Sequence, residues 1–123
     1  MFKFFVVFSF ATFLVGCDET QSVNDEMKSS AKDAIYKVLK DPDSAKFGEF
    51  TVETVGGISV ACFTVNAKNS FGGYVGDREF SLMRLLDQPW EIIASKEESH
   101  MKCVSDSNEI VRYVKSMEGS EGK

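Results

Sequence analysis

Few side chains in this sequence could perform covalent or proton-transfer chemistry: three cysteines, Cys17, Cys62 and Cys103, and a single histidine, His100. Two carboxylate pairs, Asp41 with Asp43 and Glu97 with Glu98, read as turn chemistry and surface charge. No two cysteines stand at Cys-x-x-Cys spacing, and one histidine is too few to complete a zinc ligand set with them. No metal site and no cofactor is expected. The cluster Asp41-Pro42-Asp43-Ser44 lacks the regularly spaced oxygen donors of a calcium loop and reads as punctuation between elements. His100 lies in the polar run Lys-Glu-Glu-Ser-His-Met-Lys, which predicts a solvated loop. A serine or cysteine nucleophile needs a base poised beside it, so catalysis is not expected, and a hydrolase using His100 or Ser70 is the weakest reading.

Cys17 follows an apolar run from Phe4 to Val15, with Lys3 as the only charged side chain before it. A positive start and a short apolar stretch form the plan of an export signal. Twelve residues at about 1.5 Å each reach roughly 18 Å, short of the roughly 30 Å hydrocarbon core that a spanning helix must cross. A transmembrane helix is not expected. Leu14-Val15-Gly16-Cys17 resembles the bacterial lipobox, in which small residues permit cleavage and the cysteine thiol is linked to diacylglycerol. The resemblance implies that residues 1–16 are a lipoprotein signal peptide and that Cys17 is the first mature residue, carrying palmitate-type acyl chains. The alternative is an ordinary secretory signal, with Cys17 a free or disulfide-forming thiol. Asp18 resembles the signal that keeps enterobacterial lipoproteins in the inner membrane, which favours that membrane over the outer one.

The formal net charge is −5, and loss of Lys3 with the signal makes the remainder more acidic. No basic stripe exists to neutralise phosphates, so nucleic acid is not an expected partner. Charge will not hold the chain on anionic lipid either, and the membrane contact falls to the acyl chains. With Cys17 assigned to lipid, Cys62 and Cys103 remain as a pair in an oxidising compartment, the simplest disulfide arithmetic. Linking them would close a loop of about 40 residues and restrict the unfolded chain by roughly 4 kcal/mol. The competing reading is a redox or metal pair.

The elements that would position these groups follow from periodicity. Residues 17–24 are polar and aperiodic, a lipidated tether. Met27, Ala31, Ala34, Ile35, Val38 and Leu39 then recur at helical spacing, with Ser22 or Asn24 as the cap and Pro42 beyond the end. After Pro42 the period becomes two. Phe50 and Val52 alternate with Thr51 and Glu53, and Gly56-Gly57 supplies a tight hairpin into the strand Ile58–Asn66. The run 78–95 offers two more strands, split at Asp87-Gln88-Pro89. Ile110, Tyr113, Val114 and Met117 make a second helical stripe after Asp106, with Glu109 as its capping-box partner. One α+β domain over residues 25–118 is expected: a small antiparallel sheet of about four strands, with an N-terminal and a C-terminal helix packed on one sheet face. Residues 119–123 should form a disordered tail.

Between the second and third strands lies Val-Asn-Ala-Lys-Asn-Ser-Phe-Gly-Gly-Tyr-Val-Gly-Asp, residues 65–77. Its glycines and asparagines tolerate left-handed backbone angles and side-chain bonds to the backbone. Gly72 and Gly73 are expected to be structural, one of them at positive φ. The loop reads first as a self-bonded connector capping the sheet; any recognition would fall on Lys68, Asn69, Phe71 and Tyr74, with an inward-packed Tyr74 at the start of the third strand as the alternative for that residue.

Leu39-Lys-Asp-Pro-Asp-Ser-Ala-Lys-Phe47 followed by Cys62-Phe-Thr-Val-Asn-Ala-Lys-Asn-Ser-Phe-Gly-Gly-Tyr-Val-Gly76 resembles a family of small uncharacterised bacterial and phage-associated exported proteins, many of them lipoproteins. The resemblance spans roughly residues 31–80 and implies a shared fold without an activity. Phe63 stands where that family's pattern commonly has glycine, so strand packing there is expected to differ. The expected function is that of a lipid-anchored interaction module facing the periplasm and meeting an envelope protein. A phage- or plasmid-type exclusion or immunity lipoprotein is the alternative, an envelope hydrolase the third reading. Neither the partner nor the oligomeric state follows from the sequence.

Overall fold

Cys62 and Phe63 are neighbours on one strand and so face opposite sides of their sheet. Each side carries a helix. The computed structural model describes residues 19–120. Helix α1 (Glu19–Tyr36) leads through a 3-10 turn (Pro42–Ser44) into strands β1 (Lys46–Val55), β2 (Ile58–Asn66), β3 (Arg78–Leu85) and β4 (Glu91–Lys96), and α2 (His100–Glu118) closes the chain. The strands pair antiparallel in the order β1-β2-β3-β4. An α+β fold with four strands and two flanking helices is thus established. Among the described residues no helix is long and apolar enough to cross a membrane.

The helices lie on opposite sheet faces, not on one. Ala61, Phe63 and Val65 of β2 pack with Phe80, Leu82 and Trp90 under Ala31 and Ile35 of α1. On the other face Val55 meets Val111 and Val114 of α2, and Cys62 is disulfide-bonded to Cys103. The apolar run of β2 carries the reason: Ser59 through Phe63 are all buried, which demands cover on both sides. A bulge between Phe47 and Phe50 opposes three steps of β1 to two of β2. Both phenylalanines therefore reach the α1 face, with ring centroids 4.9 and 4.8 Å from that of Phe63.

Several boundaries differ from expectation. Helix α1 is already formed at Glu19, the first described residue, ahead of the expected caps Ser22 and Asn24, so residues 19–24 of the segment assigned as a tether are helical. It ends at Tyr36, so Val38 and Leu39 lie beyond it; Leu39 still packs on the core, while Val38 is exposed. Helix α2 begins six residues before Asp106, capped by the Ser99 hydroxyl accepting from the Lys102 amide. Its buried stripe is Cys103, Ser107, Val111 and Val114, and Tyr113 and Met117 are exposed. The cause is the disulfide, which sets the helix rotation from Cys103 onward. Gly119 and Ser120, expected in a disordered tail, instead close the helix through bonds to Lys115 and Met117, and residues 121–123 lie outside the described residues. Gly56 and Gly57 both take positive φ, the geometry that turns a two-residue hairpin with the right-handed sheet twist. At the sheet's other side Trp90 donates its indole N–H to Ser30 of α1 at 2.8 Å, tying the β3–β4 turn to the first helix.

The disulfide spans 41 residues and joins the central strand to α2. Replacing both Cys62 and Cys103 by alanine should lower stability by about 4 kcal/mol, because the unfolded chain regains that loop's freedom. Urea unfolding of the oxidised protein and the double variant measures it; coincident midpoints would contradict the assignment.

Candidate functional site

The 66–77 loop and the 3-10 turn at Pro42 meet at one end of the sheet. Lys68 and Tyr74 form an isolated antiparallel bridge, and the tip between them is a closed turn. Asn69 organises it: its side-chain oxygen accepts from the amides of Phe71 and Gly73 at 2.9 and 3.2 Å, and its own amide donates to the Gly73 carbonyl. Such bonds from asparagine to its own turn replace the missing ladder. Gly72 has φ +81°, where a Cβ would be strained although open space surrounds it. Gly73 is not among the positive-φ residues, so the structural role falls on Gly72.

Ser44 pins this loop to the rest of the chain. Its hydroxyl donates to the Asp41 carbonyl and accepts from the Lys68 amide, both bonds being short, and its carbonyl accepts the Tyr74 hydroxyl at 3.1 Å. The Asp-Pro-Asp-Ser turn and the Asn-Ala-Lys-Asn loop, distant in sequence, are one hydrogen-bonded unit. The ammonium groups of Lys46 and Lys68 lie over the Tyr74 ring, 4.5 and 5.5 Å from its centroid. Of the four residues expected to recognise a partner, Asn69 is thus occupied internally and Tyr74 turns back onto Ser44 and the lysines. Phe71 is 96% exposed and has its backbone amide fixed by Asn69.

Under α2, at the same end of the sheet, a second group forms that sequence reasoning did not assemble. Glu79 of β3 is 2% exposed. One of its carboxylate oxygens accepts a short bond from the Thr64 hydroxyl, and the other lies 3.0 Å from His100 Nδ1. His100 Nε2 is 2.8 Å from the Thr51 hydroxyl and 3.9 Å from the exposed Glu49 carboxylate. A carboxylate only accepts, so Nδ1 carries the proton, and in the neutral imidazole Nε2 accepts from Thr51. His100, expected in a solvated loop, is instead the first residue of α2, and its side chain is 11% exposed.

Hydroxyl, imidazole and carboxylate in this order can pass a proton, as they do in acyl-transfer enzymes. They also meet every need of a buried carboxylate, which requires a donor on each oxygen. Thr51 lies within β1, paired with Cys62 across the ladder, so its backbone belongs to the sheet. The carboxylate's burial by itself calls for these donors, and through them the group ties the first turn of α2 to β3. Thr64, Glu79 and His100 of this group themselves line a recess, together with Glu49, Asp77 and Glu98. Glu79 stands one residue before Phe80 and so faces away from the α1 core, a position that alternation alone gives to solvent.

No protein-family model matches the chain, and no curated protein or solved structure resembles it significantly. The site is therefore read from its own residues. Cys17, the expected lipidation site, lies outside the described residues. Cys62 and Cys103 are brought together, as cysteine arithmetic predicted. Lys68, Asn69, Phe71 and Tyr74 share one loop, in the divided roles given above.

Three substitutions check this division. His100→Ala should destabilise by about 3 kcal/mol by leaving one of the two Glu79 oxygens without a donor, and Glu79→Gln in the same chain should recover part of that loss by removing the buried charge. Additive losses in urea unfolding would show that the two side chains are not coupled. Gly72→Ala should cost about 1 kcal/mol from backbone strain alone; an unchanged unfolding midpoint would contradict a left-handed Gly72.

Proposed function

We propose that this chain is a lipid-anchored lipoprotein of the bacterial envelope, facing the periplasm, which acts by binding an envelope protein through the tip of the 66–76 loop. The observation that carries the binding site is Phe71: a large apolar side chain exposed on a tip that its own hydrogen bonds hold closed. A solvent-exposed aromatic costs little when scattered singly, but on a pre-ordered tip it presents contact area without the entropy of ordering a loop. Aromatic residues on such scaffolds are the usual anchors of interfaces. Lys68 flanks it and supplies a charged rim.

The anchor rests on Leu14-Val15-Gly16-Cys17 and its likeness to the lipobox. The likeness of residues 31–80 to a family of exported proteins supports the same address. The two segments that carry that likeness are the two that Ser44 joins.

One experiment in cells tests both halves. The Cys17→Ser chain should lose incorporation of a clickable palmitate analogue; undiminished label would overturn the anchor. In the lipidated chain, a photocrosslinking amino acid at position 71 should give one discrete protein adduct, and the same group at the exposed Tyr113 position should give none. Adducts equal at both positions, or absent at 71, would overturn the loop as the binding surface.

A further inference from the structure

On the α1 side of the sheet, beneath the same loop, the structure holds a cavity of about 260 Å3. Leu39, Val65 and Phe80 form its apolar wall, and Val75 of the loop closes over it. The charged residues that line it are Lys40, Lys68, whose ammonium also lies over the Tyr74 ring, and Arg78, and no acidic residue is among them. In a chain with 19 acidic and 14 basic residues, an all-cationic lining runs against the overall balance. Among the described residues none of the three cations is within ion-pair distance of a carboxylate.

Arg78 is also oriented. Its Nε and Nη2 donate to the hydroxyl and the carbonyl of Ser95 on β4, both at 3.2 Å, which fixes the plane of the guanidinium and leaves its remaining donors uncommitted among these bonds. The Lys68 backbone is pinned by Ser44. The neighbouring groove between α1 and the β3–β4 turn differs in kind, because Asp33, Asp87 and Glu91 there offset Lys37 and Arg84. The acidic recess of Glu49, Asp77 and Glu98 lies on the α2 side, with the sheet between it and these cations.

We propose that this cavity binds a small amphiphilic carboxylate, its anionic head held by Lys40, Lys68 and Arg78 and its short apolar body against Leu39, Val65 and Phe80. Three cations around one opening repel one another until an anion enters. A bare anion would leave the apolar wall wet, and a neutral hydrocarbon would leave the cations uncompensated. The volume lies at or below the small end of ligand pockets, which suits a single ring or a short chain and excludes a full lipid acyl chain. Arginine fixed by its own hydrogen bonds recognises a planar carboxylate better than a freely rotating cation does. The site does not rest on the anchor, and it shares Lys68 with the rim proposed beside Phe71.

The test uses the full chain in phosphatidylcholine nanodiscs, titrated with 3-phenylpropionate, with its amide and with inorganic phosphate, and followed by methyl resonances of Leu39, Val65 and Val75. Saturable shifts with 3-phenylpropionate are expected, with the amide and phosphate each at least about tenfold weaker. Lys68→Gln, at a half-buried position of the rim, should weaken binding about tenfold at unchanged thermal stability, and Arg78→Gln should do the same if the β3–β4 pairing persists in its amide spectrum. Absence of saturable binding would overturn the proposal, as would an amide or phosphate that binds equally well, or a Lys68→Gln chain that binds as the parent does.

Discussion

Phe63 on one face and Cys62 on the other leave the middle of β2 without solvent, so the polar groups of its backbone must pair within the sheet and both flanking strands become obligatory. From that two-sided burial the layering follows. The aromatic side needs the small, close surface that Ala31 and Ile35 of α1 offer. The other side receives α2 through a covalent bond, which compensates for an apolar cluster of few residues there. In a domain this small a covalent link between layers does work that a larger core would do by area.

Covering the second face has an electrostatic consequence. Helix α2 arrives over strand positions that carry Thr51, Thr64 and Glu79, residues suited to solvent. Burying a carboxylate costs several kcal/mol unless each oxygen finds a donor. His100 and Thr64 supply those donors, and Thr51 meets the second imidazole nitrogen. The cluster resembles a proton relay because both tasks call for the same ordered donors and acceptors. Its place at the seam between α2 and β3 accounts for it as a fastening.

At the same end of the sheet the charges separate by layer. Glu49, Asp77 and Glu98 open onto the α2 side, and Lys40, Lys68 and Arg78 onto the α1 side. The sheet keeps them from neutralising one another. The 66–77 loop rises between the two, closed by Asn69 and held by Ser44, with Phe71 at its tip. Recognition by this end of the molecule would combine a rigid apolar contact with a basic opening beside it.

Much of this was legible in the residues themselves. Alternation at Phe50 and Val52, the Gly56-Gly57 turn and the break at Asp87-Gln88-Pro89 marked four strands, because strand period and turn chemistry are local properties. Cysteine arithmetic paired Cys62 with Cys103 once Cys17 was set aside. The unbroken apolar run from Val60 to Phe63 is the local mark of a strand buried on both faces, and it runs against the expectation that both helices share one side. What only the tertiary structure decided is where the polar side chains go. Glu79 and His100 are 21 residues apart, and neither carries a local mark of burial. Their meeting depends on which face α2 covers and on the rotation that the disulfide imposes on it. The same holds for Ser44 and the loop it pins: their contact is set by the bulge in β1 and the register of β2, which determine how the two segments close at one sheet end. Periodicity is written in neighbouring residues, whereas the chemistry of a site depends on distances between residues that only packing brings together.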